Sequence, residues 1–296
     1  MLNSITSSYH RIMALSDKRV ENWPLMSSPW STITICLLYV YTVKHLGPKL
    51  MKNRPPYQLR GLMIAYNFIM VIISALIVYF YGKSGWLTHY SYKCQPVDYS
   101  YSPDAILMAK TSWFYYITKY IEFCDTLFFV LRKKYDHITT LHVIHHGIMP
   151  FSVWWGVKFV PGGHATFFSF LNSFIHVIMY TYYGLAAIGP HMNKYLRWKR
   201  YLTAFQMIQF VAIFTHSFQL LFRECNFPNA FMGWIGGHGI LFLFLFSDFY
   251  KKTYTKKLST AVANGKQLNT CASESLNNST SYQQIKHAIE KEQKLN

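Results

Sequence analysis

Three histidines, His142, His145 and His146, fall within a five-residue segment of strongly apolar sequence. Imidazole is basic, nucleophilic and metal-binding near neutral pH, so a cluster of them in such surroundings marks a functional site by default. On a helix the i, i+3, i+4 spacing puts all three on one face, where the rings can converge on one cavity. A lone histidine there is more often a hydrogen-bonded core residue; three on one stripe reverse that weighting. Upstream, Lys119, Glu122 and Asp125 recur every three residues as a polar ridge whose opposite charges compensate in a low dielectric. Ion pairing is the plain reading of that ridge, and a carboxylate that orients an imidazole is compatible with it. Downstream, Asn172 and His176 stack four apart, Tyr180 follows, and Gln206 and Gln209 share another face. Gln pairs on their own are more often interhelical glue than catalytic groups.

The chemistry is then metal-based or covalent. A di-iron oxygenase needs several histidine-rich boxes, because two irons take many neutral nitrogen ligands. The chain has 13 histidines but only this one box, so no metal site is expected. The five cysteines show no CxxC spacing, which excludes the common zinc frameworks as well.

Composition identifies the elements that must hold these residues. Of 296 residues, 51% are hydrophobic and 14% charged, against about 25% charged in soluble chains. This is an integral membrane protein. The net charge of +17 would suit nucleic acid, but the basic residues sit in short clusters between apolar runs, without an interleaved aromatic surface. No nucleic-acid partner is expected. Seven apolar stretches, near 30–48, 61–81, 107–131, 139–160, 164–187, 201–222 and 229–250, come close to the roughly 20 residues of a helical span. The third, fourth and fifth carry the polar constellations and belong in the bundle interior.

Charge placement supports the count. Lys44, Lys49, Lys52, Arg54 and Arg60 follow span 1; Arg132, Lys133 and Lys134 follow span 3; Lys194, Arg197, Lys199 and Arg200 follow span 5; Lys251, Lys252, Lys256 and Lys257 follow span 7. The other loops hold only Lys83, Lys93, Lys158 and Arg223. By the positive-inside rule the N-terminus lies outside and the C-terminus in the cytosol, with Arg11, Lys18 and Arg19 as the dissent. Cys94 and Cys225 then share the non-cytoplasmic side, where an oxidising lumen would let them pair. Two unrelated free thiols fit the spacing equally, and the disulfide is the expectation carried forward. Cys36 and Cys124 fall inside spans and read as packing residues. The domain plan is a polar segment at 1–28, a seven-helix domain at 29–257 and a flexible cytosolic tail at 258–296. Residues 1–28 lack the apolar core of a signal peptide, so targeting is expected to use the first span.

The motifs Lys119-x-x-Glu122-x-x-Asp125-Thr126, His142-x-x-His145-His146, Asn172-x-x-x-His176-x-x-Met179-Tyr180-x-Tyr182-Tyr183 and Thr203-x-x-Gln206-x-x-Gln209-Phe210 occur in series. In identity, order and spacing they resemble the ELO family of very-long-chain fatty acid elongases, and Gly47-Pro48-Lys49, Tyr66-Asn67 and Cys94-x-Pro96-Val97-Asp98-Tyr99 extend the likeness over about residues 29 to 257. The resemblance implies an all-α bundle of seven transmembrane helices enclosing a substrate tunnel in the endoplasmic reticulum. It implies a condensing enzyme that joins a long acyl-CoA to malonyl-CoA, giving 3-oxoacyl-CoA, CoA and carbon dioxide, with no bound cofactor and malonyl-CoA as co-substrate.

The partners so implied are the two thioesters, membrane lipid and the reductases and dehydratase of the cycle, and a homodimer is among the assemblies it allows. On this basis His145 is the expected nucleophile, with His142 and His146 orienting it and His176 and Asn172 stabilising an enolate. Lys119, Glu122, Asp125, Gln206, Gln209 and Tyr180 support them, while Lys133, Lys134, Arg197, Lys199, Arg200 and Lys257 are candidates for the CoA phosphates. The segments His146-Gly147-Ile148-Met149-Pro150, Trp154-Trp155-Gly156-Val157-Lys158 and Pro161-Gly162-Gly163 are more similar to elongases of saturated and monounsaturated chains than to the polyunsaturated group. His137 departs from the glutamine frequent there and leaves that choice open. The rival classes are a polyunsaturated elongase, a metal-dependent lipid oxygenase and a seven-helix lipid receptor or transporter.

Overall fold

The computed structural model describes residues 2–255, whose regular secondary structure is helical, with no strand among them. The expected tail at 258–296 and Lys257 lie outside the described residues. Ten helices follow in chain order: α1 (Leu2–Ala14), α2 (Pro29–Tyr41), α3 (Gly47–Met51), α4 (Arg60–Tyr81), α5 (Pro103–Ile121), α6 (Phe123–Leu131), α7 (Thr140–Phe159), α8 (Thr166–Ile188), α9 (Lys199–Phe218) and α10 (Asn229–Tyr250). Each of the seven apolar stretches coincides with helix. A widened turn, Thr42–Leu46, joins α2 to α3, and α5 and α6 make up the third stretch. Three stretches, Arg60–Trp86, Lys199–Phe222 and Asn229–Thr253, are long and apolar enough by themselves to cross a membrane. The other four carry polar side chains or helix breaks that lower their apolar content.

Local chemistry sets the helix starts. Ser28 and Ser102 accept the first free N–H groups of α2 and α5, each followed by a proline suited to the first helical position. Thr139 caps α7 by accepting the His142 N–H at 3.2 Å, so the histidine box begins in the first turn of its helix. Further along α7, Pro150 has no N–H to offer the carbonyl one turn back, that of His146.

The helices pack around a core of Trp86, Trp154, Tyr81, Tyr115 and Tyr116, all 1% exposed or less. Against expectation, the core reaches back beyond residue 28. Val20 and Met26 are fully buried in it, the indoles of Trp113 and Trp154 donate to the carbonyls of Pro24 and Leu25, and a buried Asp17–Arg19 pair closes at 2.6 Å. Arg19 also donates to the Ser100 carbonyl at 2.7 Å, so residues 16–26 strap one end of the bundle. At that end Cys94 and Cys225 are joined by a disulfide between the α4–α5 and α9–α10 connections. Cys36 is buried and Cys124 partly so, both as free thiols. In the α4–α5 connection Asp98 accepts from Ser100 and Ser102, and those hydrogen bonds hold its carboxyl below the ordinary aspartate value.

Candidate active site

The site grows from the polar ridge on α5. Lys119 and Glu122 are 2% and 1% exposed and pair at 2.6 Å, which lets two charges persist in the interior. The α-helix breaks at Glu122, and the hydroxyl of Tyr66 on α4 donates to the Ile121 carbonyl beside the break at 3.3 Å. Glu122 lies 3.4 Å from His176 Nδ1, while Asn172 Oδ1 accepts the Tyr115 hydroxyl at 2.8 Å and faces Lys119 at 3.5 Å. The Lys119 ammonium also sits 4.3 Å from the centre of the Tyr115 ring. Asp125 leaves the ridge: beyond the break it faces α8 and accepts the Tyr180 hydroxyl at 2.8 Å.

The three box histidines part company. His142 Nε2 bonds Thr126 Oγ1 at 2.8 Å, and that hydroxyl bonds Tyr39 at 2.8 Å, so His142 belongs to a chain reaching α2. His146 is buried between its neighbours, 4.4 Å from the His142 ring and 5.3 Å from the His145 ring. His145 alone of the three lines a cavity of about 420 Å³, shared with Asn172, Gln209 and His238 and otherwise walled by apolar side chains including Met149, Phe210, Ile213 and Phe242. The one-face spacing therefore delivers a single imidazole to the cavity and two that support it. Nδ1 of His145, Oε1 of Gln209 and Nε2 of His238 are buried there without a hydrogen-bond partner. Such groups are costly unless a ligand or water satisfies them. Gln206 turns away, its amide 3.6 Å from the Met179 sulfur.

Tyr115 and His238 are functional candidates that the spacing argument did not reach. Tyr115 stands one turn before Lys119, a signal available from the i, i+4 rule. His238 interrupts a span that is otherwise apolar, which flags it on the same ground as the box. Its Nδ1 is 2.8 Å from the Trp234 carbonyl. A carbonyl only accepts, so Nδ1 carries the proton and Nε2 presents its lone pair.

The basic candidates gather away from the disulfide. Lys133 and Lys134 follow α6, and Arg197, Lys199 and Arg200 flank the start of α9. Lys134, Arg197, Lys199 and Arg200 are exposed, Lys133 donates to the Lys52 carbonyl at 3.2 Å, and Arg200 donates to the Tyr201 hydroxyl at 2.6 Å. His137, between α6 and α7, has its pKa lowered by burial first and then by the field of Lys199, so the two connections are electrostatically close. Among the described residues no three His, Cys, Asp or Glu side chains are grouped to hold a metal ion.

An all-helical membrane protein with an imidazole and an amide pair on an apolar cavity, and a buried ion pair behind Asn172, is the class that fold and site define. The chain belongs to the ELO (GNS1/SUR4) family, whose model matches residues 24–261. It is 55% identical over 271 residues to a very long chain fatty acid elongase of Aedes aegypti, covering 90% of this chain and 76% of the relative. It is 59% identical over 243 residues to very long chain fatty acid elongase 7 of Drosophila melanogaster, covering 82% and 74%, and 45% identical over 257 residues to very long chain fatty acid elongase 1 of Mus musculus, covering 86% and 92%.

Proposed function

We propose that this chain is the condensing enzyme of fatty acid elongation, joining a long-chain or very-long-chain acyl-CoA to malonyl-CoA. The observation that carries the reading is His145: an imidazole with an unpartnered buried nitrogen on the wall of an otherwise apolar cavity, beside Asn172 and Gln209. The relatives' names supply the substrate class.

In this reading an imidazole nitrogen of His145 attacks the acyl thioester, the carbon–sulfur bond breaks, and CoA leaves as the thiol with the imidazole proton. Malonyl-CoA then loses carbon dioxide, and the electron pair of the broken carbon–carbon bond becomes the enolate of acetyl-CoA. That carbon attacks the acyl-imidazole carbonyl, the carbon–nitrogen bond breaks, the departing imidazole takes one proton from water, and 3-oxoacyl-CoA leaves with His145 restored. His142, tied to Thr126, and His146 hold the box in place. Glu122 orients His176, and Tyr115 with Lys119 orient Asn172, so that both can stabilise the enolate. Lys133, Lys134, Arg197, Lys199, Arg200 and Lys257 serve the CoA phosphates. No resident cofactor is required by this sequence of steps. The setting is a seven-span fold in the endoplasmic reticulum, N-terminus luminal, handing a saturated or monounsaturated product to reductases and a dehydratase.

Purified protein incubated with long-chain acyl-CoA and labelled malonyl-CoA tests this. We expect 3-oxoacyl-CoA and carbon dioxide in equal amounts, and a loss on the order of 10³-fold or more in His145→Ala. Incubation with acyl-CoA alone should give free CoA and a His145 adduct by mass spectrometry. Folded protein that makes no 3-oxoacyl-CoA across chain lengths overturns the reading.

A further inference from the structure

Two cavities of similar size adjoin one another. The first, about 420 Å³, holds His145; the second, about 410 Å³, continues to Val160 and Ala165 near the disulfide. Ser152, Phe168 and Ile235 line both and so form the neck between them. Ser152 is its polar member: Ser152 Oγ accepts the indole N–H of Trp234 at 2.9 Å, a bond from α7 to α10. Trp234 is pinned a second time, since its carbonyl accepts Nδ1–H of His238 at 2.8 Å and the two rings lie 4.9 Å apart. The width of the neck is thus held by one directional bond between helices, from Trp234 on α10 to Ser152 on α7. Apolar packing alone would yield more readily to a change of rotamer.

The depth of the neck follows from α7. From His145 to Ser152 the helix rises about 10 Å, which is the reach of roughly eight methylene groups in an extended chain, given C–C bonds of about 1.5 Å shortened by their zigzag. A longer acyl chain anchored at His145 must therefore thread the neck to lie inside the protein. An extended chain is narrow at that point. A chain with a cis double bond there sweeps a wider path.

We propose that Ser152, held by Trp234, is a specificity-determining residue that selects acyl chains by shape roughly eight carbons from the thioester. Straight chains, and monounsaturated chains whose double bond lies away from the neck, pass into the second cavity, and chains bent at the neck are disfavoured. The inference rests on the acyl-CoA reading of the first cavity, and its test separates the two.

Full-length protein is incubated with a long-chain acyl-CoA carrying a terminal diazirine, irradiated and mapped by mass spectrometry, a readout that needs binding but no turnover. The label should fall on second-cavity residues such as Val157, Val160 or Phe231, and in Ser152→Leu it should retreat to first-cavity residues such as Met149 or Ile213. In competition between straight and mid-chain cis acyl-CoAs of equal length, Trp234→Phe keeps the ring bulk and loses the donor. It should raise the bent-to-straight ratio of bound label about tenfold, the worth of one hydrogen bond. A wild-type label outside the second cavity overturns the proposal, as does an unchanged ratio in Trp234→Phe. Correct labelling without any 3-oxoacyl-CoA from malonyl-CoA would instead sink the condensing reading and leave the neck standing.

Discussion

Glu122 joins the buried ammonium of Lys119 on its own helix to His176 on α8, so its removal tests whether the ridge is a compensated unit. In Glu122→Gln the Lys119 charge stays buried without its counter-charge, at a cost of about 3–5 kcal/mol, whereas replacing both partners by apolar residues costs far less. We expect a large fall in melting temperature for Glu122→Gln and substantial recovery in Lys119→Met/Glu122→Met, measured in detergent; equal destabilisation of both variants would show that the pair is not coupled. Tyr115→Phe removes only the hydroxyl that Asn172 accepts. It should retain the fold and lower kcat more than it raises KM, because a freed amide loses orientation in the transition state rather than affinity in the ground state. The sequence made these partners legible through spacing: Lys119 and Glu122 three apart, Asn172 and His176 four apart. It could not say which box histidine opens on the cavity. That depends on Thr126 and Tyr39, from two other helices, capturing His142 and fixing how the face of α7 is presented.

The elements were legible to the extent that apolar length determines them, and each expected stretch is helical. Two features were not. At the break at Glu122 a hydroxyl from α4 reaches the Ile121 carbonyl, and the strap at 16–26 is held by indoles donating to its backbone carbonyls, acceptors that every sequence possesses. A polar composition therefore disguised a segment whose Val20 and Met26 are fully buried. The turn between α7 and α8 gives the sharpest test at this scale. Gly163 has φ +62°, and a Cβ there would stand 2.7 Å from the Pro96 carbonyl oxygen. Gly163→Ala pays the left-handed penalty of about 1–2 kcal/mol and must also displace backbone. The neighbouring His164 N–H, which donates to the Gln95 carbonyl at 2.7 Å, should lose protection from hydrogen exchange along with the α4–α5 connection. Unaltered exchange and melting in Gly163→Ala would mean that this contact does not hold the turn.

At the scale of the molecule, one covalent bond joins connections 131 residues apart in sequence at the strapped end, while Lys133, Lys134, Arg197, Lys199 and Arg200 gather away from it. Closing so long a loop restricts the unfolded chain, and loss of such a bond typically costs about 2–5 kcal/mol. The two remaining described cysteines, Cys36 and Cys124, are free thiols within helices, so among the described residues reduction acts on the Cys94–Cys225 bond. The proposed orientation turns this into a test of topology. With the basic clusters facing the cytosol, the disulfide faces the lumen, where an impermeant phosphine added outside sealed microsomes cannot reach it. The protein should keep its melting temperature under that treatment and lose several degrees once the vesicles are permeabilised, whereas Cys94→Ser/Cys225→Ser should be destabilised from the start and insensitive to the reductant in both preparations. Reduction in sealed vesicles would invert the orientation and carry the basic residues to the lumen, away from any cytosolic CoA thioester. The same measurement therefore bears on the bond that closes one end of the bundle and on the direction from which the other end is supplied.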